Sequence, residues 1–181
     1  MKSYLIKDIM IPKEEYILAQ QDISLFDIII SLKEQKKSST YHSTILIIDN
    51  ENRLKGKITI IDILRGIEPK YKELSHMDLT RFGYNDDYIF SILKKQEFWV
   101  EPLKDLCNKL PTIKIKDIMQ NIEQTETIKA EMSLDIAVHK MVINNHNILF
   151  VYNANNEFLG VLRSIDIFDL LCNTIAQCNI K

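Results

Sequence analysis

Glycine is scarce in this sequence, with four residues in 181, and cysteine and proline are as rare, at three and four. A phosphate-binding P-loop and a GxGxxG dinucleotide loop both need closely spaced glycines, so both are excluded. The cysteines Cys107, Cys172 and Cys178 form no CxxC pair and leave one unmatched, which is typical of reduced thiols in a cytosolic protein. No GxSxG or HExxH motif occurs. The sequence therefore offers no catalytic motif, and we expect no enzymatic activity.

Long apolar runs and a strong net charge are missing as well. No stretch reaches the ~18 apolar residues of a membrane span, and the first residues lack the apolar run of a signal peptide. A net charge of −2 gives no general attraction to nucleic acid or to an anionic membrane. We therefore expect a cytoplasmic protein that binds neither.

What the chain does contain is an internal repeat. Residues 6–10 have the sequence Ile-Lys-Asp-Ile-Met, and residues 115–119 repeat it. Further residue pairs correspond between the two parts of the chain: Ser24 with Ser133, His42 with His146, Gly56 with Gly160, and Asp62 with Asp166. A repeat of this kind predicts two copies of one supersecondary unit.

Both copies have the same predicted order of elements. Helix-spaced apolar residues follow Ser24 and Ser133, which are suited to be N-caps, and Asx-rich turns separate two apolar strands. In the first copy we predict a strand at 16–19, a helix from 25, strands at 45–48 and 54–58, and a helix at 60–66. In the second copy we predict a strand at 127–130, a helix from 134, strands at 148–152 and 158–162, and a helix at 164–172.

The predicted unit is therefore β-α-β-β-α, a three-stranded sheet with both helices on one face. The other face is buried most simply if the two copies pack sheet to sheet about a pseudo-twofold axis, which leaves one cleft per copy. We predict a mixed α/β fold of the α+β type. The first copy is placed at residues 1–67, a helical insert at 68–112 and the second copy at 113–181.

The insert is rich in apolar and aromatic residues, so it is not a flexible linker. Apolar spacing predicts one helix around Ile89 and a second between Leu103 and Leu110, with Pro111 just past its end. Two interpretations of the aromatic residues stay open. They complete a hydrophobic core, or they form a dimer contact or a docking face for a partner enzyme or transporter.

The junction between the second hairpin strand and the last helix carries the most suggestive chemistry. In the first copy, Thr59 and the free N–H groups of the helix N-terminus suit a phosphate, and Asp62 suits the two hydroxyls of a ribose. Thr-x-x-Asp is also a capping box, which stays an alternative. The second copy has Arg163 in place of the threonine but keeps Asp166. A retained aspartate without its capping partner favours a second role for it.

The tandem unit, the Ile-Lys-Asp-Ile-Met opening and the Gly-x-x-Thr-x-x-Asp close resemble a pair of cystathionine-β-synthase (CBS) domains, a Bateman module. The resemblance covers about residues 5–67 and 113–175. It implies a non-catalytic sensor with no required cofactor, which binds AMP, ADP, ATP or S-adenosylmethionine, with or without Mg²⁺, in a disk-like homodimer. The alternative is a dimeric interaction scaffold with vestigial clefts that acts through the insert.

The resemblance also assigns roles to individual residues. It implies ribose contacts for Asp62 and Asp166 and a phosphate contact for Thr59. We interpret Arg163 as a phosphate ligand, and Ser164 as either a phosphate ligand or a helix cap. For His42 and His146, a phosphate contact and an ordinary hydrogen-bonded or surface role both stay open. The implied adenine contacts are Ile17, Leu18, Ile58, Thr127, Ile128 and Leu162.

Overall fold

The computed structural model describes residues 4–37, 42–71, 86–95, 98–99 and 105–176. The chain divides into two compact units. The first-copy unit comprises Ala19–Ile47 and Lys57–Gln120, and the second-copy unit comprises Met1–Leu18, Ile48–Gly56 and Asn121–Lys181. The opening segment of each copy therefore belongs to the unit that the other copy forms. None of the helices in the described ranges combines the length and the apolarity needed to cross a bilayer.

The first copy contains the five elements that the sequence predicts and, before them, a short additional strand. They are β1 (Ile11–Pro12), β2 (Leu18–Gln20), α1 (Leu25–Gln35), β3 (Ile45–Ile48), β4 (Leu54–Ile58) and α2 (Ile60–Ile67). Ser24 caps α1 as predicted, because its hydroxyl accepts a hydrogen bond from the backbone N–H of Asp27. The helix buries Leu25, Ile28 and Leu32, three of the residues expected on its apolar face.

The insert contains α3 (Asp86–Lys95) and the short α4 (Leu106–Lys109) in its described part. Both predicted helices are therefore present, although Leu103 lies outside the described residues. A 3₁₀ turn at Leu110–Thr112 follows α4 directly and includes Pro111. The chain thus stays helical beyond the end that we predicted, because proline is tolerated in the first turn of a helix.

Two insert residues, Phe98 and Trp99, contact the residues that directly follow α2. The carboxylate of Glu68, which is 1% exposed, accepts a hydrogen bond from the backbone N–H of Trp99 at 2.9 Å. The indole N–H of Trp99 donates to the hydroxyl of Tyr71 at 3.0 Å, and the ring of Phe98 lies 5.0 Å from that of Tyr71. These aromatic residues extend a core. Phe90 differs, since it is 66% exposed.

The second copy repeats the order of the first. Its elements are β5 (Gln120–Asn121), β6 (Thr127–Lys129), α5 (Leu134–Asn144), β7 (Ile148–Tyr152), β8 (Phe158–Arg163) and α6 (Ser164–Ala176). Strand β6 runs parallel to β7, and β7 and β8 form an antiparallel hairpin. The predicted α+β class and the β-α-β-β-α order are confirmed in both copies.

Each sheet has four strands, so our prediction of three was wrong. The strand orders are β2-β3-β4-β5 and β1-β8-β7-β6. The additional strands, β1 and β5, are two residues long and directly follow the duplicated Ile-Lys-Asp-Ile-Met motif. Each pairs with the hairpin of the other copy. A two-residue strand is too short to produce a recognisable alternation of apolar and polar residues.

The duplicated motif itself forms a 3₁₀ turn in both places, at Ile6–Asp8 and Ile115–Asp117. Both turns dock on the strand-to-helix loop of the opposite copy through equivalent backbone bonds: Ile6 N to Met132 O at 3.0 Å, Lys7 N to Ala130 O at 3.1 Å, Ile115 N to Ile23 O at 3.1 Å, and Lys116 N to Gln21 O at 3.0 Å. Ile6 and Ile115 are fully buried. The repeated motif therefore joins each opening segment to the other copy.

Candidate functional site

The first junction lies between the end of β4 and the start of α2. Thr59 is the N-cap of α2, in an extended backbone conformation. Its backbone N–H donates to Oδ2 of Asp62 at 2.9 Å, and its hydroxyl donates to the same oxygen at 2.7 Å. The hydroxyl also accepts a long hydrogen bond, 3.4 Å, from the backbone N–H of Asp62. Thr59 and Asp62 thus form the capping box that we considered as an alternative.

Asp62 is buried, with 3% exposure, and both of its oxygens have partners. The amide Nε2 of Gln120 donates to Oδ1 at 2.6 Å, and the guanidinium of Arg65 lies 3.6 Å from that oxygen. We did not predict Gln120. Its position directly after the second copy of the duplicated motif is the only signal in the sequence that points to it. A ribose that bound to Oδ1 of Asp62 would compete with this amide.

At the second junction, between β8 and α6, the side-chain partner of the aspartate is a guanidinium group and not a hydroxyl. The backbone N–H of Arg163 donates to Oδ2 of Asp166 at 3.2 Å, so the carboxylate half of a capping box persists. The guanidinium also binds both carboxylate oxygens, through Nε to Oδ2 at 2.9 Å and through Nη2 to Oδ1. The hydrogen bond to Asp166 raises the pKa of Arg163. Asp166 therefore accepts hydrogen bonds from both the backbone and the side chain of Arg163. These structural contacts weaken our argument that its retention points to a ligand.

Tyr16 lies beside this pair and also was not predicted. Its side chain is 6% exposed. Burial raises the pKa of Tyr16 to about 12, with the positive charge of Arg163 opposing this rise and the negative charge of Asp166 adding to it. The phenol is therefore neutral at pH 7. Tyr16 comes from the opening segment of the first copy, so each junction has a neighbour that the other copy supplies, Gln120 in one unit and Tyr16 in the other.

Ser164 is the first residue of α6, and its side chain is exposed. Its backbone N–H donates to the carbonyl of Asn147 at 2.9 Å, which ties the start of the helix to the loop before β7. Its hydroxyl is therefore accessible at the N-terminus of a 13-residue helix, where an anion is favoured.

The residues predicted to contact adenine differ widely in exposure. Ile58 and Leu162 are fully buried, and Ile128 is 5% exposed. Ile128 and Leu162 belong to the core cluster that also contains Ile6. Leu18 is 39% exposed, while Ile17 and Thr127 are half-buried. Thr59, Asp62 and Ile58 lie in the first-copy unit, and the other predicted site residues lie in the second-copy unit.

The equivalent histidines have different surroundings. His42 is 7% exposed, whereas the ring Nε2 of His146 lies 3.1 Å from the hydroxyl of Thr125. This contact matches the hydrogen-bonded interpretation for His146. Across the described ranges, no group of three His, Cys, Asp or Glu side chains is placed to hold a metal ion.

Solved structures with this fold resemble the chain along nearly its whole length. A CBS domain-containing protein of unknown function from Bacillus anthracis is 20% identical with a TM-score of 0.64, and the match covers 95% of each chain. CBSX2 from Arabidopsis thaliana, in complex with AMP, is 16% identical with a TM-score of 0.59, covering 95% of this chain and 98% of that one.

A third similar structure is the CBS domain of a bacterial CNNM/CorC family Mg²⁺ transporter in complex with ATP. It is 10% identical with a TM-score of 0.62, and the match covers 94% of this chain and 89% of that one. A comparison with curated proteins finds no match. The CBS domain profile matches residues 6–69 and 115–173, which are the two copies of the repeat. The chain therefore belongs to the CBS domain family.

Proposed function

We propose that this CBS pair is a non-catalytic regulatory module that binds an adenosine-containing ligand at its two strand-to-helix junctions. One observation carries the proposal: each junction places an aspartate in the first turn of a helix, beside a hydroxyl or guanidinium group whose chemistry suits a phosphate. A carboxylate there suits a ribose diol, and the helix N-terminus suits a phosphate. The complexes of CBSX2 with AMP and of the transporter domain with ATP support this ligand class.

At the first junction, binding replaces a neutral contact. The ribose hydroxyls take the place of the Gln120 amide on Asp62, while Thr59 and the N-terminus of α2 receive the phosphate. The amide that leaves is uncharged and regains hydrogen bonds in water, so the exchange costs little.

At the second junction, binding has to open an ion pair. The guanidinium of Arg163 must leave at least one oxygen of Asp166 before a ribose can bind there. A freed Arg163 is then a bidentate partner for a phosphate, as Ser164 at the helix N-terminus is a neutral one. Because the bidentate ion pair of Arg163 with Asp166 is stronger than the single hydrogen bond from the uncharged Gln120 amide to Asp62, we propose that the first junction binds more tightly.

Thermal unfolding with AMP, ADP, ATP and S-adenosylmethionine, each with and without Mg²⁺, tests the proposal. A ligand at about 100 times its dissociation constant is expected to add about 2.7 kcal/mol to the free energy of unfolding. The informative variant is Arg163→Thr, which gives the second junction the motif of the first and keeps a residue suited to be an N-cap. It should raise the affinity of the second site, whereas Thr59→Arg should lower that of the first.

The double variant Asp62→Asn/Asp166→Asn is the control. Its unfolding temperature with ligand is compared with its own unfolding temperature in buffer, and ligand should no longer raise it. If none of the four ligands raises the unfolding temperature of the wild type, or if the double variant shows the same increase, the proposed ligand class is wrong.

A homodimer is the second part of the proposal. Helix α6 exposes Ile165, Phe168 and Ile175 at 51%, 58% and 59%, at a spacing that puts them along one side of the helix. A row of apolar side chains on a helix surface is typical of an interface, and a second copy of the chain would cover it. Sedimentation equilibrium should give a dimer mass for the wild type and a monomer mass for Phe168→Glu. A monomeric wild type contradicts this part alone.

One observation also favours the scaffold alternative, in which the clefts are vestigial and a partner enzyme or transporter docks on the insert. Both oxygens of Asp62 are already used within the protein. The insert contributes an exposed Phe90 to such a surface. Thermal unfolding and sedimentation equilibrium together separate the two functions. A scaffold that dimerises without binding any of the four ligands shows the dimer mass and no increase in unfolding temperature.

A further inference from the structure

A groove in the second-copy unit lies along the free edge of its sheet, and neither Arg163 nor Asp166 of that unit's junction lines it. It is bounded by β6, which is the edge strand, by the outward side of α5 and by the end of β7. Its volume is about 410 Å³, which falls within the range of small-molecule pockets. The side chains that give it its chemistry are Lys129, Met132, Ile136, Lys140 and Tyr152.

Two lysines bring positive charge to the groove, and neutral oxygens hold both. The ammonium of Lys129 donates to the carbonyl of Asn153 at 2.7 Å and to the side-chain oxygen of Asn156 at 2.5 Å. The ammonium of Lys140 donates to the carbonyls of Thr127 and Gln124. An ammonium has three N–H donors, and two are used in each case. Each lysine is thus fixed in place with its charge intact and a third donor left for an acceptor.

The remaining walls are apolar or neutral. Met132 and Ile136 are 40% and 46% exposed and line the same groove as the two lysines, so the groove presents apolar surface to solvent. Tyr152 is half-buried, and burial raises its pKa, so that its hydroxyl is a neutral hydrogen-bond donor at pH 7. An apolar floor with a few polar groups at its rim is the usual composition of a ligand pocket.

The first copy shows that the fold does not require these residues. At the corresponding positions it has Gln20 for Lys129, Asp27 for Ile136, Ser31 for Lys140 and Ile48 for Tyr152. Both ammonium groups, the phenol and part of the apolar floor are therefore particular to the second copy. The same loop and helix form in the first copy without them.

We propose that this groove binds a small amphipathic monocarboxylate, with the carboxylate between Lys129 and Lys140 and a ring-sized apolar body against Met132 and Ile136. Charge complementarity selects the anion, and the exposed apolar side chains select against small hydrated anions such as phosphate. The carboxylate contacts of this proposal use none of the four residues of the junction motifs. The groove is also lined by Thr127 and Ile128, two of the predicted adenine contacts, so competition with AMP is part of the test.

Benzoate is the probe, titrated into the full chain and followed by saturation-transfer NMR, with benzyl alcohol as its uncharged counterpart. The variant Lys129→Gln/Lys140→Ser introduces the first copy's own residues, which the fold accommodates. We expect saturable binding of benzoate to the wild type, weakened about tenfold or more in this variant. Benzyl alcohol should bind weakly to both. The control Lys94→Gln/Lys95→Gln removes the same charge from exposed positions on α3 and should leave the affinity for benzoate unchanged.

A second measurement does not depend on any variant. In the ¹⁵N-labelled wild type, the backbone amide shifts caused by benzoate should centre on Lys129, Lys140 and Tyr152. Saturating AMP should leave benzoate binding unchanged. Absent or non-saturable binding, equal affinity in the Lys129→Gln/Lys140→Ser variant, or shifts centred elsewhere would overturn the proposal. Competition by AMP would instead assign the groove to the nucleotide site and overturn it as a separate site.

Discussion

The two strand-to-helix junctions place an aspartate at the same point of the same helix but satisfy it with different partners. At the first junction, a hydroxyl, a backbone N–H and the amide of Gln120 surround Asp62, which is 3% exposed. At the second, Arg163 binds both oxygens of Asp166, and the two side chains are 30% and 14% exposed. At the first junction the closest partners of the buried carboxylate are uncharged donors, with the exposed Arg65 guanidinium farther away at 3.6 Å, while at the second the carboxylate is partly solvated and paired with a cation.

What the two junctions share explains why the aspartate is present in both copies. Its first task is local, because it accepts the backbone N–H of the residue three positions earlier at both junctions. When the threonine is replaced by arginine, the guanidinium becomes the partner of the carboxylate. On the proposed function, a ligand competes with an uncharged amide at one junction and with a bidentate cation at the other, so we expect two unequal sites from one motif.

The largest expected effect concerns the opening segments of the two copies, each of which pairs with the hairpin of the other copy. A Cβ on Gly160 would lie 2.1 Å from the carbonyl oxygen of Ile11, where β1 pairs with β8. Gly160→Ala should therefore push β1 away and cost about 3 kcal/mol of the free energy of unfolding, measured by urea denaturation. Gly66→Ala is the matched control, since its Cβ meets only the side chain of Ile118, at 3.0 Å, and the helix gains propensity. Equal losses in the two variants would contradict a close approach specific to β1.

A smaller effect compares the two aspartates directly. Asp62→Ala should cost about 2 kcal/mol, because it removes the capping acceptor of the Thr59 backbone N–H and leaves a gap where the carboxylate is 3% exposed. Asp166→Ala should cost about 1 kcal/mol, since the partly exposed Arg163 can be hydrated instead. Urea denaturation of both variants measures the difference.

The double variant Asp62→Ala/Gln120→Ala serves as the internal check on this comparison. It should cost less than the sum of its single changes, because each single change already removes the same Gln120–Asp62 hydrogen bond. A loss for Asp166→Ala as large as that for Asp62→Ala would show that burial does not distinguish the junctions.

The sequence predicted the local features of this fold and missed the distant ones. Strands β3 and β4 have the bounds that we predicted, and Ser24 caps α1, because apolar runs, Asx-rich turns and N-caps all act within a few residues. The exchange of the opening segments was not predictable from these patterns. It depends on backbone bonds between residues that are distant in sequence, such as Ile6 with Met132 and Ile115 with Ile23.

The same limit applied to the candidate site. Thr59, Asp62 and Asp166 were identifiable because the motif is contiguous, and the capping box that they partly form was one of the two predicted interpretations. Gln120 and Tyr16 were not, since each reaches its junction from the opening segment of the other copy. No periodicity links those positions to the junction motif, so only the three-dimensional contact reveals them.

The smallest expected effect concerns the hairpin turns, where the copies again differ by charge. Asp49 accepts the backbone N–H groups of Glu51 and Arg53, both at 2.9 Å, while Asn153 at the equivalent position accepts that of Glu157 at 2.9 Å. The backbone hydrogen bond from Arg53, together with its side chain, holds the pKa of Asp49 well below its usual range. Since the folded-state pKa is depressed, this stabilisation is present above the ordinary aspartate pKa of ~3.9 and is lost as the pH falls toward the folded-state value.

Asp49→Asn copies the second turn into the first and should remove this part of the acid dependence while it keeps the turn. The measurement is the urea midpoint of wild type and variant at neutral pH and at several values below about pH 4. The two proteins should converge as the pH falls. Asn153→Ala is the control, because it removes an uncharged acceptor and should lower the midpoint by a similar amount at each pH. An Asp49→Asn midpoint that falls with acid as steeply as that of the wild type would mean that the charge of Asp49 contributes nothing beyond the turn that both copies share.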